Sequence, residues 1–111
     1  MSGYQSREPD IEAEVRLLTK EEGGRHTPAK TGYRPAHLVI DDYLTTAAQH
    51  YLGQEWLHPG ESCLAHLWFI TPEVYPNSLW VGKEIQFQEG ARVIGFAKVT
   101  KIFNNVLLKH S

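Results

Sequence analysis

A glycine- and proline-rich stretch between positions 20 and 35 holds the residues best suited to bind a ligand. It contains KEEGGRHTP and then GYRP. Glycine lets backbone amides approach a ligand closely, and arginine or histidine side chains on a loop can contact phosphate. The alternative is that Arg25 or Arg34 pairs with a nearby carboxylate and fixes the loop. The candidate binding residues in this stretch are Gly23, Gly24, Arg25, His26, Thr27, Tyr33 and Arg34.

Residues for catalysis or for metal binding are not arranged in a recognisable pattern. None of the six histidines has the HxH or HxxxH spacing that places two ring nitrogens on one metal, and there is one cysteine. Cys63 and His66 would point to opposite faces of a strand, which argues against a dyad. The glycine-rich motifs that bind nucleotide phosphates are also missing. We therefore predict a protein that is not an enzyme and needs no cofactor.

Charge is distributed unevenly along the chain, although the net charge is only −2. Residues 16–37 carry a net +3 and residues 90–111 a net +4, whereas residues 38–89 carry a net −6. If the two basic segments meet in the fold, they form one positive face that attracts an anionic partner. The alternative is an ordinary surface of mixed charge.

Alternating apolar and polar residues predict strands over most of the chain. Residues 41–49 are ambiguous, and we favour a loop followed by a strand over a short helical turn. Glycines and prolines in 19–35 and 71–82 predict loops without regular elements. The other predicted strands span 11–18, 37–40, 62–70, 85–88 and 92–103.

Two of these strands carry further signals. Residues 62–70 form the longest apolar stretch and are expected to be buried on much of both faces. Gly95 marks a change of the inward face, which predicts a bend or bulge, and residues 89–92 form a hairpin turn. About six strands with turn-rich links predict an all-β domain, either a small closed barrel or a sandwich.

Length and composition predict a single soluble domain of 111 residues. The apolar runs are far shorter than the roughly 20 residues of a membrane helix, and no signal peptide is readable. A single cysteine excludes an internal disulfide and suits the reducing cytoplasm, where we expect the protein to act without a membrane. We expect Cys63 to be a buried packing residue.

Residues 11–35, IEAEVRLLTKEEGGRHTPAKTGYRP, closely resemble the start of the third domain of bacterial elongation factor Tu. That family has the form (F/I)E(A/S)EV, then L(S/T)K(D/E)EGGRHTP, then GYRP. The PGE turn at 59–61 and QEGARVIGFAKVTK at 88–101 resemble its PG(D/E) turn and its closing hairpin. The resemblance covers roughly residues 11–103 and is weakest in the middle.

The resemblance implies a six-stranded antiparallel Greek-key β-barrel over 11–103, after a flexible segment at 1–10 and before a tail at 104–111. In the family this barrel contacts the T-stem backbone of aminoacyl-tRNA and the exchange factor, elongation factor Ts. Arg25, His26, Glu89 and Gly90 match the tRNA-contacting loops, and Arg92 completes the set of candidate binding residues. A GTPase domain is not present in these 111 residues, so GTP hydrolysis is not implied.

The chain also departs from the family pattern. Ala36, Thr71 and Ala91 replace residues that are usually polar, basic or glycine, and the segment 71–82 is longer than the family loop. Its Tyr75 and Trp80, together with the tail at 106–108, could cover the barrel or join two copies of the chain. We therefore expect a binding module that recognises a protein such as elongation factor Ts, with tRNA or another structured RNA as the alternative partner.

Overall fold

The computed structural model of the chain describes residues 7–41 and 43–110. Within these ranges, six antiparallel strands close into a barrel and two short strands form a separate sheet. This architecture confirms the predicted all-β fold and the closed six-stranded barrel. The strands are β1 (Ile11–Leu17), β2 (Ala29–Lys30), β3 (Ala36–Ile40), β4 (Tyr43–Tyr51), β5 (Trp56–Leu57), β6 (Ser62–Phe69), β7 (Glu84–Glu89) and β8 (Arg92–Ile102).

The barrel strands follow the order β1, β6, β4, β3, β7, β8, and β8 pairs with β1 to close the cylinder. Strands β3, β4 and β6 follow one another among the barrel strands and lie side by side, and β1 lies beside β6. Three strands in sequence with a fourth brought beside them by a longer connection form a Greek key. The topology therefore also agrees with the prediction.

Strand β1 shows how the alternating pattern produces the barrel. Ile11, Ala13, Val15 and Leu17 are fully buried, whereas Glu14 is exposed. Because β1 pairs with β6 on one side and with β8 on the other, its apolar face points into a closed core. The largest fully buried apolar side chains of that core are Ile11, Leu17, Leu57, Leu67, Phe69, Leu79, Ile85, Phe87, Ile94 and Leu107.

A bulge bends β8 near Gly95, where a bend was predicted. Phe87 of β7 lies opposite Gly95, but the next residue, Gln88, lies opposite Val93, so Ile94 is the extra residue. An extra residue in one strand bends that strand and increases its local twist. A second register shift occurs where β8 pairs with β1, and these irregularities help the longest strand to follow the curve of the barrel.

The prediction that 19–35 contains no regular element is wrong at Ala29 and Lys30, which form β2. These residues pair with Leu57 and Trp56 of β5, which lies just before the PGE turn at 59–61. Ala29 and Leu57 are buried beneath this small sheet, so a distant contact stabilises it. The local glycine and proline content carries no information about such a contact.

The expectation that 62–70 is buried on much of both faces is also wrong. Along β6, buried residues alternate with more exposed ones, and Leu64 and Ile70 are exposed on the outside. The outer face of this part of the barrel is open to solvent although the sequence there is largely apolar. By contrast, the strand predicted within 41–49 is confirmed and extends to Tyr51.

The N-terminal residues 7–10 are held against the barrel, although 1–10 was predicted to be flexible; residues 1–6 lie outside the described part. The Asp10 carboxylate is fully buried and accepts hydrogen bonds from the Arg7 guanidinium at 2.8 and 3.0 Å. The backbone amide of Phe69 and the Asn104 side chain donate to the same carboxylate at 2.7 and 2.9 Å. The buried charge is thus satisfied by several donors and links β1, β6 and the tail.

The described part of the tail packs on the barrel; Ser111 lies outside it. Leu107 is fully buried, and Leu108 forms a parallel bridge with Leu79 of the 71–82 segment. Tyr75 is buried as well, whereas Trp80 and Val106 are exposed. The 71–82 segment, irregular as predicted apart from a 3-10 turn at Pro72–Val74, therefore covers the barrel together with the tail, and self-association stays a prediction.

A chain of polar side chains lies inside the barrel. Nδ1 of the fully buried His37 lies 3.1 Å from the Pro35 carbonyl oxygen, and its Nε2 lies 3.0 Å from Nε2 of Gln49. The Tyr51 hydroxyl donates to Gln49 Oε1 at 3.1 Å. These contacts fit a neutral imidazole with its proton on Nδ1. Burial lowers the pKa of His37 to about 4, although its hydrogen bond to Pro35 acts in the opposite direction.

The neutral His37 predicts a loss of stability in mild acid. Histidine in an unfolded chain titrates at about 6.5, so between the two pKa values the unfolded state binds more protons and stability falls as the pH falls. We expect His37 to remove about 2 kcal/mol of unfolding free energy between pH 7 and pH 5. Urea unfolding of the wild type and of His37→Asn at both pH values measures this. An equal loss in the two proteins would contradict the prediction.

Candidate binding site

The loop after β1 begins with a turn that Thr19 and Glu22 hold together. The Thr19 amide donates to Glu22 Oε1 at 2.8 Å, and the Glu22 amide donates to Thr19 Oγ1 at 3.1 Å. This reciprocal pair is a capping box, which the T-x-x-E spacing favours. Arg16 donates to the same Glu22 oxygen at 2.9 Å and ties the turn to β1. The hydrogen bonds from Thr19 and Arg16 lower the pKa of Glu22.

Gly23 and Gly24 close this turn, and their amides are occupied by the protein itself. The Gly24 amide donates to Thr19 O at 2.8 Å and the Gly23 amide donates to Lys20 O at 3.0 Å, the pattern of a Schellman motif. Gly23 has a φ of 94°, a conformation that favours glycine. Gly24 is buried, and a Cβ there would lie 2.3 Å from the carbonyl oxygen of Leu18. The glycines therefore shape the turn and do not present amides to a ligand.

Arg25 follows the turn and directs its guanidinium back onto the protein. Its Nε donates to the Thr27 carbonyl oxygen, and its Nη2 donates to Thr27 Oγ1 and to the Pro28 carbonyl oxygen, each at 3.1 Å. Its Nη1 donates to Glu89 Oε2 at 2.5 Å. The planar guanidinium suits this set of acceptors, of which Thr27 and Pro28 belong to the same loop and Glu89 belongs to β7. Arg25 thus pairs with a carboxylate, which agrees with the alternative that this arginine fixes the loop rather than contacts a ligand.

Glu89, at the end of β7, joins the loop to the closing hairpin. Its Oε2 accepts from Arg25 and from the Tyr33 hydroxyl, and its Oε1 lies 3.9 Å from Arg92 Nη2. The Arg25 guanidinium also lies over the Tyr33 ring, 4.9 Å from its centroid. Burial alone would raise the pKa of Glu89, but hydrogen bonds from Tyr33 and Arg25 outweigh burial and lower it. Burial and the hydrogen bond to Glu89 raise the pKa of Tyr33, which keeps its hydroxyl a donor at neutral pH.

We call Arg25, Tyr33, Glu89 and Arg92 the corner cluster. It brings the GGRHT loop and the closing turn together, because the residues of this cluster come from both segments. His26, Thr27 and Gly90 are exposed beside it, and Arg34 is exposed next to Tyr33 in the chain. All the predicted site residues outside the Gly23–Gly24 turn therefore belong to this corner or flank it in the chain.

The sheet of β2 and β5 adds residues that the sequence prediction missed. Lys30 pairs in register with Trp56, and its ammonium lies 5.8 Å from the centroid of the indole ring. Both side chains are exposed, whereas Ala29 and Leu57 on the other face are buried. The Arg25 hydrogen bond to Pro28 places this sheet beside the corner cluster. A two-residue strand is too short for its alternation to be recognised in a sequence.

The corner has mixed charge rather than the positive face that the segment charges allowed. Among the described residues, four bases of the two basic segments lie 2.5 to 3.9 Å from a carboxylate oxygen. Arg16 pairs with Glu22 and Lys30 with Glu55, while Arg25 and Arg92 share Glu89. Glu55 and Glu89 of the acidic middle segment therefore lie beside three of these bases, and Glu22 of the basic segment itself lies beside the fourth.

Further features of the described residues concern metal ligands, the cysteine and membrane spans. Residues 7–41 and 43–110 contain no group of three or more His, Cys, Asp or Glu side chains placed to hold a metal ion. Cys63 is half-buried on the inward side of β6, and burial raises the pKa of its thiol to about 11. In the same ranges no helix is long and apolar enough to cross a membrane. A comparison with models of known protein families finds none that matches the chain.

The two glycines of the turn should respond differently to alanine. Gly24→Ala places a methyl group against backbone, so we expect a loss of about 2 kcal/mol or more of unfolding free energy. Gly23→Ala meets nothing within 4 Å and pays only for its positive φ, about 1 kcal/mol. Urea unfolding of both variants measures the difference. A Gly24→Ala variant as stable as Gly23→Ala would show that the close approach to Leu18 is absent.

The ion pair of the corner cluster should contribute measurably to stability. In a double-mutant cycle of Arg25→Met and Glu89→Gln, we expect a coupling of about 1 kcal/mol, because the pair is partly buried and charge-assisted. The exposed pair Lys30 and Glu55 is the matched control, for which Lys30→Met and Glu55→Gln should couple by less than about 0.5 kcal/mol. Equal coupling energies in the two cycles, from urea unfolding, would disprove the structural role of Arg25.

Proposed function

We propose that the chain is a non-catalytic binding module of the kind found as the third domain of elongation factor Tu, and that its partner is a protein. The observation that carries this proposal is the orientation of Arg25. Three of its nitrogens donate to acceptors of its own chain at 2.5 to 3.1 Å, so the arginine of the GGRHT motif builds the corner instead of reaching outward for phosphate.

The mixed charge of the corner supports a protein partner over a nucleic acid. Binding to a phosphate backbone draws most of its affinity from bases that neutralise phosphates and release counterions. Here Arg16, Arg25, Lys30 and Arg92 already lie beside carboxylates. The surface that remains combines an exposed Trp56 with polar and charged neighbours. Tryptophan, tyrosine and arginine are the residues that most often dominate protein–protein contacts.

The resemblance of residues 11–35 and 88–101 to elongation factor Tu supplies the class of partner. We propose elongation factor Ts or another protein associated with translation, met in the cytoplasm. A second candidate function is binding of tRNA or another structured RNA. It is favoured by the position of the Lys30 ammonium over the Trp56 ring. An exposed aromatic ring beside a positive charge is a platform on which a nucleobase can stack.

A titration of the purified chain with purified elongation factor Ts tests the proposal. We expect micromolar or tighter binding that changes little between 50 and 200 mM salt, and at least tenfold weaker binding for Trp56→Ala because the corner surface would lose its aromatic anchor. Trp80→Ala is the matched control, because Trp80 and Trp56 are both 43% exposed and Trp80 lies outside the corner. Isothermal titration calorimetry gives the dissociation constants.

A parallel titration with tRNA separates the two candidate partners. Binding of tRNA alone, weakening steeply between 50 and 200 mM salt, would replace the protein partner with the RNA alternative. Binding to neither, or equal losses for Trp56→Ala and Trp80→Ala, would contradict the proposed partner and the proposed surface respectively.

A further inference from the structure

Strands β3 and β7 are joined by the shortest ladder of the barrel. Within the described strands, the register pairs are Ala36 with Gln88 and His37 with Phe87, although β3 continues to Ile40 and β7 begins at Glu84. Beyond the second pair, the ammonium of Lys83 donates to the carbonyl oxygen of Val39 at 2.7 Å. A side chain thus supplies a donor where the backbone ladder has ended. We call this gap between the two strands the seam.

Two segments that are remote in sequence form backbone hydrogen bonds with each other beside the seam. Asn77 N donates to Val106 O at 2.9 Å, and Leu79 N donates to Leu107 O at 2.8 Å. In return, Lys109 N donates to Leu79 O at 2.8 Å. Neither 72–82 nor 104–109 can keep these hydrogen bonds without the other. We refer to the two segments together as the cap.

The cap inserts apolar side chains into the core, and Lys83 joins it to the barrel between two backbone hydrogen bonds at its ends, from Gly82 N to Val99 O and from Asn104 N to Asp10 O. Tyr75, Leu79 and Leu107 belong to the hydrophobic core and are at most 3% exposed. Besides Val39 of β3, Lys83 donates to Ser78 O at 2.8 Å, so a single ammonium bridges barrel and cap. The same ammonium lies 4.7 Å from the centroid of the Trp80 ring. Burial lowers the pKa of Lys83, in agreement with an ammonium partly withdrawn from water.

We propose that the cap is a cooperative unit that detaches from the seam while the rest of the barrel stays folded, and that Lys83 is the positioning residue that pins it. The ladders of β1 with β6 and β8 do not pass through the cap, so they can persist when it leaves. Local opening of a contiguous unit below the free energy of global unfolding is a general property of folded domains. Opening would uncover the seam and three core side chains.

Hydrogen exchange measured by mass spectrometry tests this proposal on the intact chain. In the wild type, peptides covering 73–81 and 104–110 should exchange at one common rate, at least tenfold faster than peptides from β1. Lys83→Met should accelerate both cap segments at least tenfold and leave β1 within twofold. Lys98→Met, which removes an exposed lysine of β8, should change neither.

Three results would overturn the proposal. The two segments could exchange at different rates in the wild type, or only at the rate of β1, or Lys83→Met could accelerate the whole chain equally. The wild-type measurement decides the matter even if Lys83→Met does not fold. Because the cap is tested by exchange in the isolated chain, the outcome is independent of the partner named under the proposed function.

Discussion

The double pairing of β1 is the constraint on which the rest of the structure depends. This strand lies between β6 and β8 and closes the cylinder, so its side-chain alternation decides which residues enter the core. A slip by one residue would turn the carboxylate of Glu14 inward and Val15 outward. Backbone hydrogen bonds also fix the end of β1, because Leu18 N donates to Ile94 O and Gly60 N donates to Leu17 O. The loop that follows therefore starts from a rigid position.

The corner cluster extends this order from the barrel to the loop. Glu89 belongs to β7, and through Arg25 and Tyr33 it imposes a position on a segment rich in glycine and proline. A motif that looks like an exposed contact loop in the sequence is thereby part of the scaffold. The exposed side chains around it, such as His26 and Trp56, are attached to this ordered scaffold.

Local patterns predicted much of the fold, whereas long-range contacts were invisible to them. The alternation in β1 and the change of face near Gly95 were sufficient to place a strand and a bulge. The pairing of Lys30 with Trp56 was not predictable, because two-residue strands have no period and their partner lies elsewhere in the chain. The direction of the Arg25 side chain was left open for the same reason, since its acceptor, Glu89, is distant in sequence.

The buried Asp10 brings the start of β1 and the segment after β8 within hydrogen-bonding distance. Its carbonyl oxygen accepts from the amides of Phe103 and Asn104, and its carboxylate accepts from the Asn104 side chain. Hydrogen bonds thus hold together two regions that are 94 residues apart in the chain, and they complete the closure of the cylinder at this end without a covalent link.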